Sequence, residues 1–296
     1  MSSHTVFRLT SGNSFERLQA FKEPIPAIDK YEVLVKVRSV SLNYRDVIIA
    51  TSKYPLPVKD NVVPCSDMAG EVVQVGSLVD SLSIGDRVLA PLTPSTLYGR
   101  IKTVLDTYGG PIDGFLKEYV ALPAHILVKL PEASHSFAQW ASLVCTGSTA
   151  WNALYGGTPL TPGETVLVQG TGGVSLTALI FAKAAGATTI VTSSSDKKLE
   201  YVKSTFGADY TINYKTHPDW SNEVKRITKG RGVDHIIDVS GAGTIRQSIE
   251  SVAYGGIISA IGFLSTIPQD EMPDVTMLTL VKGCTIRGVL AVYARG

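Results

Sequence analysis

The stretch that decides the fold is residues 164–195, ETVLVQGTGGVSLTALIFAKAAGATTIVTSSS. Residues 165–168 form a short β-branched run, which predicts a buried strand. A glycine turn follows at once, and residues 175–185 are apolar on nearly all sides, as is typical of a helix packed under a sheet. Gly186 ends that helix, and residues 189–192 predict the next strand. The order strand, glycine turn, helix, strand is one βαβ unit.

The glycine turn carries the fingerprint of a dinucleotide site. Gly170 permits the tight turn, and Gly172 lets the backbone approach a pyrophosphate. The helix that follows, at Gly173 and Val174, offers unpaired N–H groups and a partial positive charge to phosphates. The third fingerprint position is Ser175 rather than Gly, and serine is small enough for close packing of helix and strand. The alternative is a bare glycine turn, which the full strand–turn–helix context disfavours.

The end of the second strand indicates which nicotinamide cofactor is used. An NAD site usually has an acid there, about 20 residues beyond the glycines, to hold the ribose hydroxyls. Ser193 and Ser194 stand there instead, with Lys198 nearby, and hydroxyls with a lysine would hold the 2′-phosphate that a carboxylate would repel. These residues favour NADPH over NADH. Asp196 is the nearest acid, but it is interpreted as the cap of the next helix, and the alternative for the lysines is a solvated helix face.

Composition narrows the class of protein. A chain of 296 residues is long enough for two domains, each with a real core. Its 27 Lys and Arg residues balance 26 Asp and Glu residues, so no basic surface for nucleic acid or membrane is expected. No apolar run is long enough to cross a bilayer, and three widely spaced cysteines imply no disulfide framework. The start of the chain is interpreted as a first strand rather than a transit peptide, so the protein is predicted to be cytoplasmic.

The chain predicts two domains, residues 1–145 and residues 146–296. Short strands and turns without βαβ alternation dominate the first, which is therefore expected to be mostly β, with a long loop at residues 91–113 beside a site. Residues 137–154 predict a helix that is interrupted near Thr146-Gly147 and leads into the second domain. There, strands and helices alternate, and six strands suit one doubly wound parallel sheet, an α/β fold of the Rossmann type.

Five segments together resemble the medium-chain dehydrogenase/reductase superfamily, over essentially the whole chain. They are Asn43-Tyr44-Arg45-Asp46, residues 64–72, Gly85-Asp86-Arg87-Val88, the glycine turn at 170–175 and residues 207–214. The resemblance implies a GroES-like N-terminal domain joined to a Rossmann domain. It also implies that the chain stops early, because family members usually carry a further helix and strands after the segment matching residues 289–295.

The sequence departs from the zinc alcohol dehydrogenases of this family. Where they carry a Cys and a His-Glu pair, this chain has Leu42 or Asn43 and Ser66-Asp67. Cys145 matches a third ligand but is isolated, and one thiolate cannot make the three-ligand site of a catalytic zinc, so Cys145 is expected to be a small core residue. The loop at 91–113 has no cysteines for a structural zinc. The resemblance therefore narrows to the zinc-free branch, the quinone oxidoreductases and enoyl reductases.

The resemblance also assigns roles to residues. Asn43 and Tyr44 match the family's Asn-aromatic pair beside the nicotinamide, and Tyr54 matches a tyrosine that looks like the proton donor of enoyl reductases. A phenol can donate to a carbonyl oxygen or protonate a carbanion. The alternatives are aromatic packing for Tyr54 and a helix cap for Asn43. The other residues expected on the cofactor side are Thr149, Tyr214, Ser240, Ile261, Gly262 and Phe263.

The leading hypothesis is an NADPH-dependent, zinc-independent oxidoreductase that transfers a hydride to a quinone or an α,β-unsaturated carbonyl. Two alternatives stay open: an alcohol/aldehyde reductase of the same fold, and a nucleotide-binding protein without turnover because the chain stops early. Residues 284–292 carry one charge and no proline, so they predict an unprotected edge strand that pairs with a second copy in a homodimer.

Overall fold

The computed structural model describes residues 2–97, 99, 101 and 103–291. The chain divides into two compact units, one running up to Cys145 and one comprising Thr146–Ala291. Among the helices of the described residues, none has both the length and the apolar character needed to cross a membrane.

The first unit is a mostly β structure. Its strands are β1 (Ser3–Leu9), β2 (Leu18–Pro24), β3 (Glu32–Ser41), β4 (Asp67–Val75), β5 (Arg87–Leu89), β6 (Tyr119–Pro123) and β7 (Val128–Lys129). Its helices are α1 (Tyr44–Ala50) and α2 (Phe137–Ala141), and α3 (Leu143–Tyr155) continues into the second unit. An antiparallel five-stranded sheet has the order β6-β3-β4-β5-β7, and β1 and β2 form a separate antiparallel pair.

Apolar residues of the central strands form the core of this unit. Val33 and Val35 of β3 and Met68 and Val72 of β4 are fully buried around Phe115. Strand β2 was not predicted from the sequence, because nearly all of its residues are exposed and it therefore shows no alternation of buried and exposed positions.

The second unit is a doubly wound parallel sheet, as predicted. Its elements are β8 (Thr165–Gln169), α4 (Gly173–Ala184), β9 (Thr188–Ser193), α5 (Asp196–Phe206), β10 (Tyr210–Asn213), α6 (Trp220–Ile227), β11 (Val233–Asp238), α7 (Ile245–Ser251), β12 (Val252–Ala260), α8 (Val275–Lys282) and β13 (Thr285–Gly288). The sheet order is β10-β9-β8-β11-β12-β13, and every pair is parallel. The order reverses between β8 and β11, which is where such sheets bind ligands.

The two faces of this sheet bury separate apolar layers. Val166 and Val168 of β8 pack in one layer with Leu179 of α4. Leu167 points to the opposite face and packs in the other layer with Val224 of α6. A strand covered on both faces has no polar side, which explains why residues 165–168 form a continuous apolar run.

The helix break lies elsewhere than predicted. The structure places Thr146 and Gly147 inside α3. The helical segment is interrupted at Ser142, between α2 and α3. The Ser142 hydroxyl donates to the Gln139 carbonyl at 2.7 Å, so a side chain competes there with the backbone. A single glycine such as Gly147 costs helix stability only about 1 kcal/mol, which packing overcomes.

Three strand or helix boundaries also differ from the sequence prediction. The strand expected over residues 115–122 begins only at Tyr119, because the Phe115 amide donates to the Cys65 carbonyl at 2.8 Å instead of joining β3. The strand expected at 256 begins at Val252, directly after α7. The last strand ends at Gly288, and residues 292–293 of its predicted range lie outside the described residues.

Candidate functional site

The predicted cofactor residues of the second unit gather at the carboxyl ends of its parallel strands. After β8 come Gly170, Gly172, Gly173 and Val174; at the end of β9 come Ser193 and Ser194; after β10 comes Tyr214; after β11 comes Ser240; and after β12 come Ile261, Gly262 and Phe263. Lys198 lies in the first turn of α5. Thr149 is a buried residue of α3 rather than of a strand end, and its contact with the cofactor stays a prediction. In open α/β sheets this edge is the ligand-binding edge.

The glycine turn has the geometry that a pyrophosphate site requires. Gly170 has a φ of 75°, in the left-handed region that favours glycine. Ser175 is buried, and its hydroxyl donates to the Gln169 carbonyl at 2.7 Å, which fastens α4 to the end of β8. A Cβ at Gly172 would meet no other protein atom within 4 Å. The N-terminus of α4 therefore has free space for a phosphate, and the residues present fit a dinucleotide.

A buried carboxylate that the sequence analysis missed shapes the neighbouring strand end. Asp238 closes β11 and accepts hydrogen bonds from the Ser240 and Gly241 amides at 3.0 and 2.9 Å. Its other oxygen accepts from the Ser248 hydroxyl at 2.8 Å and from the Gln169 side-chain amide at 3.3 Å. Asp238 thus links the turn after β11 to the end of β8. An acid two residues before Ser-Gly, at the end of an apolar strand, was the signal available in the sequence.

The strand ends β11 and β12 approach each other at two glycines. Gly241 has a φ of 84°, and a Cβ there would lie 2.8 Å from the Gly262 carbonyl oxygen. A Cβ at Gly262 would collide with the Val239 carbonyl oxygen. Gly262 is therefore required by backbone packing, whatever it contributes to a cofactor.

The cap of α5 differs from the prediction. Ser195 rather than Asp196 is the N-cap, and its hydroxyl accepts from the Lys198 amide at 3.4 Å. Ser195 has the extended backbone of a capping residue, whereas Asp196 is already helical. The Asp196 carboxylate instead accepts from the Asn213 side-chain amide at 2.7 Å. The nearest acid is thus engaged by a neighbouring strand.

The serines of the predicted 2′-phosphate site differ in exposure. Ser193 is buried, and its carbonyl accepts from the Tyr214 amide at 3.0 Å, while Ser194 is partly exposed. Lys198 and Tyr214 are exposed. The structure thus brings Ser193 and Tyr214 together, and the preference for NADPH stays a prediction.

The predicted catalytic residues of the first unit lie at the two ends of α1. Asn43 is the N-cap of α1, and its backbone N–H donates to the Asp46 carboxylate at 2.8 Å. Tyr44 is the first helical residue and is 54% exposed. Tyr54 follows the helix, is half-buried, and packs beside the small core that contains Ile49. The cap interpretation of Asn43 is confirmed, and the catalytic roles stay predictions.

Two buried carboxylates stand beside these residues. Burial raises the pKa of Asp46 to about 6, against the opposing effects of the Asn43 amide and the Arg45 charge. Burial also raises the pKa of Asp67, whose oxygens accept from the Ser66 hydroxyl at 2.7 Å and the Cys145 amide at 2.9 Å. The Asn43 side chain lowers the pKa of Asp67, although its Nδ2 makes no hydrogen bond of standard geometry.

Two positions that match the family's zinc ligands, Ser66 and Cys145, therefore bond to the Asp67 carboxylate, and Asn43, one of the two candidates for the third position, lies near it. Across the residues that the structure describes, no three His, Cys, Asp or Glu side chains are grouped so as to hold a metal ion. Cys145 is partly buried, whereas Cys65 and Cys284 are buried, so the interpretation of Cys145 as a small core residue stays a prediction.

The backbone next to Asp67 is strained. Cys65 has a φ of 70°, which is unusual for a residue with a side chain. Its backbone is packed closely against Gly109 and Gly114, where an added Cβ would collide. Burial raises the pKa of the Cys65 thiol, so it is no reactive thiolate. Strained backbone of this kind concentrates at functional sites.

The second unit has the fold and the strand-end geometry of a dinucleotide-binding domain, and comparison with known proteins identifies the family of the chain. A family model described as Alcohol dehydrogenase GroES-like domain matches residues 29–132, and one described as Zinc-binding dehydrogenase matches residues 173–295. A zinc-type alcohol dehydrogenase-like protein of Schizosaccharomyces pombe is 43% identical over 286 residues, which cover 94% of this chain and 81% of that protein. The chain belongs to the medium-chain dehydrogenase/reductase superfamily, whose members are oxidoreductases with a nicotinamide cofactor.

Two further relatives show the range of names in this superfamily. A quinone oxidoreductase-like protein 2 homolog of Nematostella vectensis is 34% identical over 266 residues, which cover 87% of this chain and 64% of that protein. A solved structure of a putative alcohol dehydrogenase from Sinorhizobium meliloti 1021 superposes with a TM-score of 0.89 at 36% identity, and covers 99% of this chain and 86% of that one. The resemblance and the fold class predicted from the sequence are confirmed.

Proposed function

We propose that this protein is an NADPH-dependent oxidoreductase that reduces quinones or α,β-unsaturated carbonyls without zinc. The observation that carries the proposal is the hydrogen-bonded cluster around Asp67. Where the family's zinc enzymes place metal ligands, this chain has Leu42 or Asn43, together with Ser66 and Cys145, and the last two bond to one buried carboxylate. An amide, a hydroxyl and a single thiol are a poor donor set for catalytic zinc.

The second unit fits the cofactor. The backbone from Gly170 to Val174 would hold the pyrophosphate at the N-terminus of α4, and Ser193, Ser194 and Lys198 would hold the 2′-phosphate. When bound, NADPH supplies the hydride that the reaction consumes.

Side chains of the first unit would handle the acceptor. An enone takes a hydride at its β-carbon, and the electron pair of the C=C bond moves to give an enolate. The Tyr54 hydroxyl then gives its proton to the enolate, and the resulting phenolate regains a proton from water. Asn43 and Tyr44, which match the family's Asn-aromatic pair, would contact the nicotinamide.

One sample tests the proposal. NADPH is titrated by fluorescence, and a panel of quinones, enones, alcohols and aldehydes is then assayed with and without a chelator, alongside elemental analysis for zinc. Turnover of quinones or enones that survives the chelator, with no stoichiometric zinc, is the expected result. Chelator-sensitive turnover of alcohols alone would overturn the proposal and agree with the relatives named alcohol dehydrogenases. NADPH binding without turnover would identify a nucleotide-binding protein.

We also propose a homodimer. Among the residues that the structure describes, strand β13 is the last strand on its side of the sheet, so its outer edge carries backbone groups that no described strand pairs. The preceding helix α8 packs against β12 and exposes Met277, Leu280 and Val281. An exposed apolar helix face and an open strand edge both suit pairing with the same elements of a second copy.

A further inference from the structure

Arg45 uses all three guanidinium nitrogens within the first unit. Its Nε donates to the Tyr54 hydroxyl oxygen at 3.1 Å, its Nη1 to the Tyr108 carbonyl at 2.7 Å and its Nη2 to the Thr107 hydroxyl at 3.0 Å. The guanidinium carbon also lies 5.1 Å from the centre of the Tyr54 ring. One rigid, planar group therefore connects α1, the turn after it and the segment at 107–108.

The far end of this guanidinium is held in a well-packed place. Thr107 and Tyr108 are both buried, and the Tyr108 ring packs on the fully buried Phe115 at 4.6 Å between ring centres. A Cβ at Gly110 would collide with the Arg45 Nη2, so the absence of a side chain there makes room for the guanidinium. The Tyr54 end is different, because its neighbours Lys53 and Pro55 are exposed. Arg45 thus ties a surface turn to the core.

The contact also fixes what the phenol can do. A tyrosine hydroxyl has one hydrogen to donate and lone pairs to accept with, whereas arginine only donates. Because Arg45 occupies a lone pair of the Tyr54 oxygen, the Tyr54 hydrogen remains available to an acceptor outside the pair.

We propose that Arg45 is a positioning residue for Tyr54, which it orients as a proton donor toward the carbonyl substrate. The inference rests on the proposed function, since it assumes that Tyr54 protonates the enolate. Arg45 itself moves no proton, because its guanidinium stays charged throughout. It holds the phenol oxygen in place and the phenol hydrogen directed away from the guanidinium.

Kinetics of Arg45→Met, Tyr54→Phe and the double variant test the coupling. We expect Arg45→Met to lower kcat for an enone by roughly 10- to 100-fold with little change in the KM for NADPH, the scale of a misplaced catalytic group. The double variant should be no slower than Tyr54→Phe, because Arg45 acts through the phenol. Multiplied losses in the double variant would mean that Arg45 acts independently of Tyr54, and would overturn the inference.

Arg87→Met is the matched control. Arg87 also lies over an aromatic ring, 4.5 Å from the centre of Phe137, and donates to the His135 carbonyl at 2.7 Å. It should keep the kcat of the unmodified protein. An equal fall of kcat in Arg87→Met would show that the loss follows from general loosening of the unit, and would refute a specific role for Arg45.

A spectroscopic measurement separates this inference from the proposed function. With 13C in the tyrosine ζ position, the signal that disappears in Tyr54→Phe belongs to Tyr54. In Arg45→Met that signal should move, while it stays in place in Arg87→Met. A moved signal in a protein without turnover would support the positioning and refute the proposed function. An unmoved signal would refute the positioning, whatever the activity.

Discussion

The raised pKa of Asp46 predicts how the stability of this protein depends on pH. Asp46 is buried at the start of α1, and burial raises its pKa from 3.8 to about 6. The difference of about 2 pH units, at about 1.4 kcal/mol per unit, amounts to about 3 kcal/mol. The ionised carboxylate therefore destabilises the folded state by about that much at neutral pH.

The sign follows from where the protons are bound. Well below pH 4 the carboxyl group is protonated in both the folded and the unfolded state, and it then has no effect on the free energy of unfolding. Between about pH 4 and pH 6 the unfolded chain ionises first, so the folded state binds more protons and stability falls as the pH rises. Above about pH 6 the full penalty is present. Asp46→Asn removes the titration and keeps an oxygen that accepts from the Asn43 amide.

The free energy of unfolding of Asp46→Asn, relative to the unmodified protein, should therefore rise by about 2.5 kcal/mol between pH 4 and pH 8, because the unfolded chain is already partly ionised at pH 4. Urea unfolding followed by tryptophan fluorescence at pH 4, 5, 6, 7 and 8 measures this difference. Asp60→Asn, which changes an exposed carboxylate of the same unit, is the matched control. Parallel stability curves for Asp46→Asn and the unmodified protein would refute the burial argument.

Three further predictions follow from the second unit. NADPH should bind more tightly than NADH in fluorescence titrations. Lys198→Ala should reduce the ratio of the two affinities by roughly 10-fold, which is the contribution of one charge-assisted hydrogen bond. Equal affinities in the unmodified protein would contradict this prediction. Asp238→Ala should lower the free energy of unfolding, measured by thermal unfolding, by roughly 3 kcal/mol, because it leaves buried donors without an acceptor. The same change should weaken NADPH binding. Unchanged binding would show that Asp238 contributes to stability alone. Light scattering should find a dimer that Leu290→Lys, a change at an exposed apolar residue, converts to monomer; a monomeric unmodified protein would rule the dimer out.

The sequence predicted the second unit well because its signals are local. The run at 165–168, the glycine turn and the bounds of α5 at Asp196–Phe206 depend on side-chain period and on turn chemistry. Strand β2 carries no such signal, because almost none of its residues are buried. The predicted cap of α5 was wrong by one residue. Serine and aspartate are both good capping residues, and only the backbone conformation shows that Ser195 rather than Asp196 is the cap.

The polar contacts of the candidate site could not be predicted, because their partners are distant in the chain. Arg45 bonds to Thr107, which lies 62 residues later in the chain. Asp67 bonds to Cys145, which lies 78 residues later. Neither pair shares an element or a period, so only the folded structure brings them together. Arg45 belongs to the segment Asn43-Tyr44-Arg45-Asp46 that resembles the family, yet nothing in the sequence linked it to Tyr54.

The reversal of strand order also means that the parallel sheet consists of two halves that are each continuous in the chain. Strands β8, β9 and β10 form one half, strands β11, β12 and β13 form the other, and a single ladder between β8 and β11 joins them. The connection between the halves turns at Gly230, which has a φ of 87° and open space around it. Helices α6 and α7 also pack against each other across this junction, so we expect the two fragments of a chain cut at Gly230 to reassociate, with the bond from Gln169 to Asp238 closing the junction. Such fragment complementation would turn the assembly of the nucleotide-binding edge into a measurable association reaction.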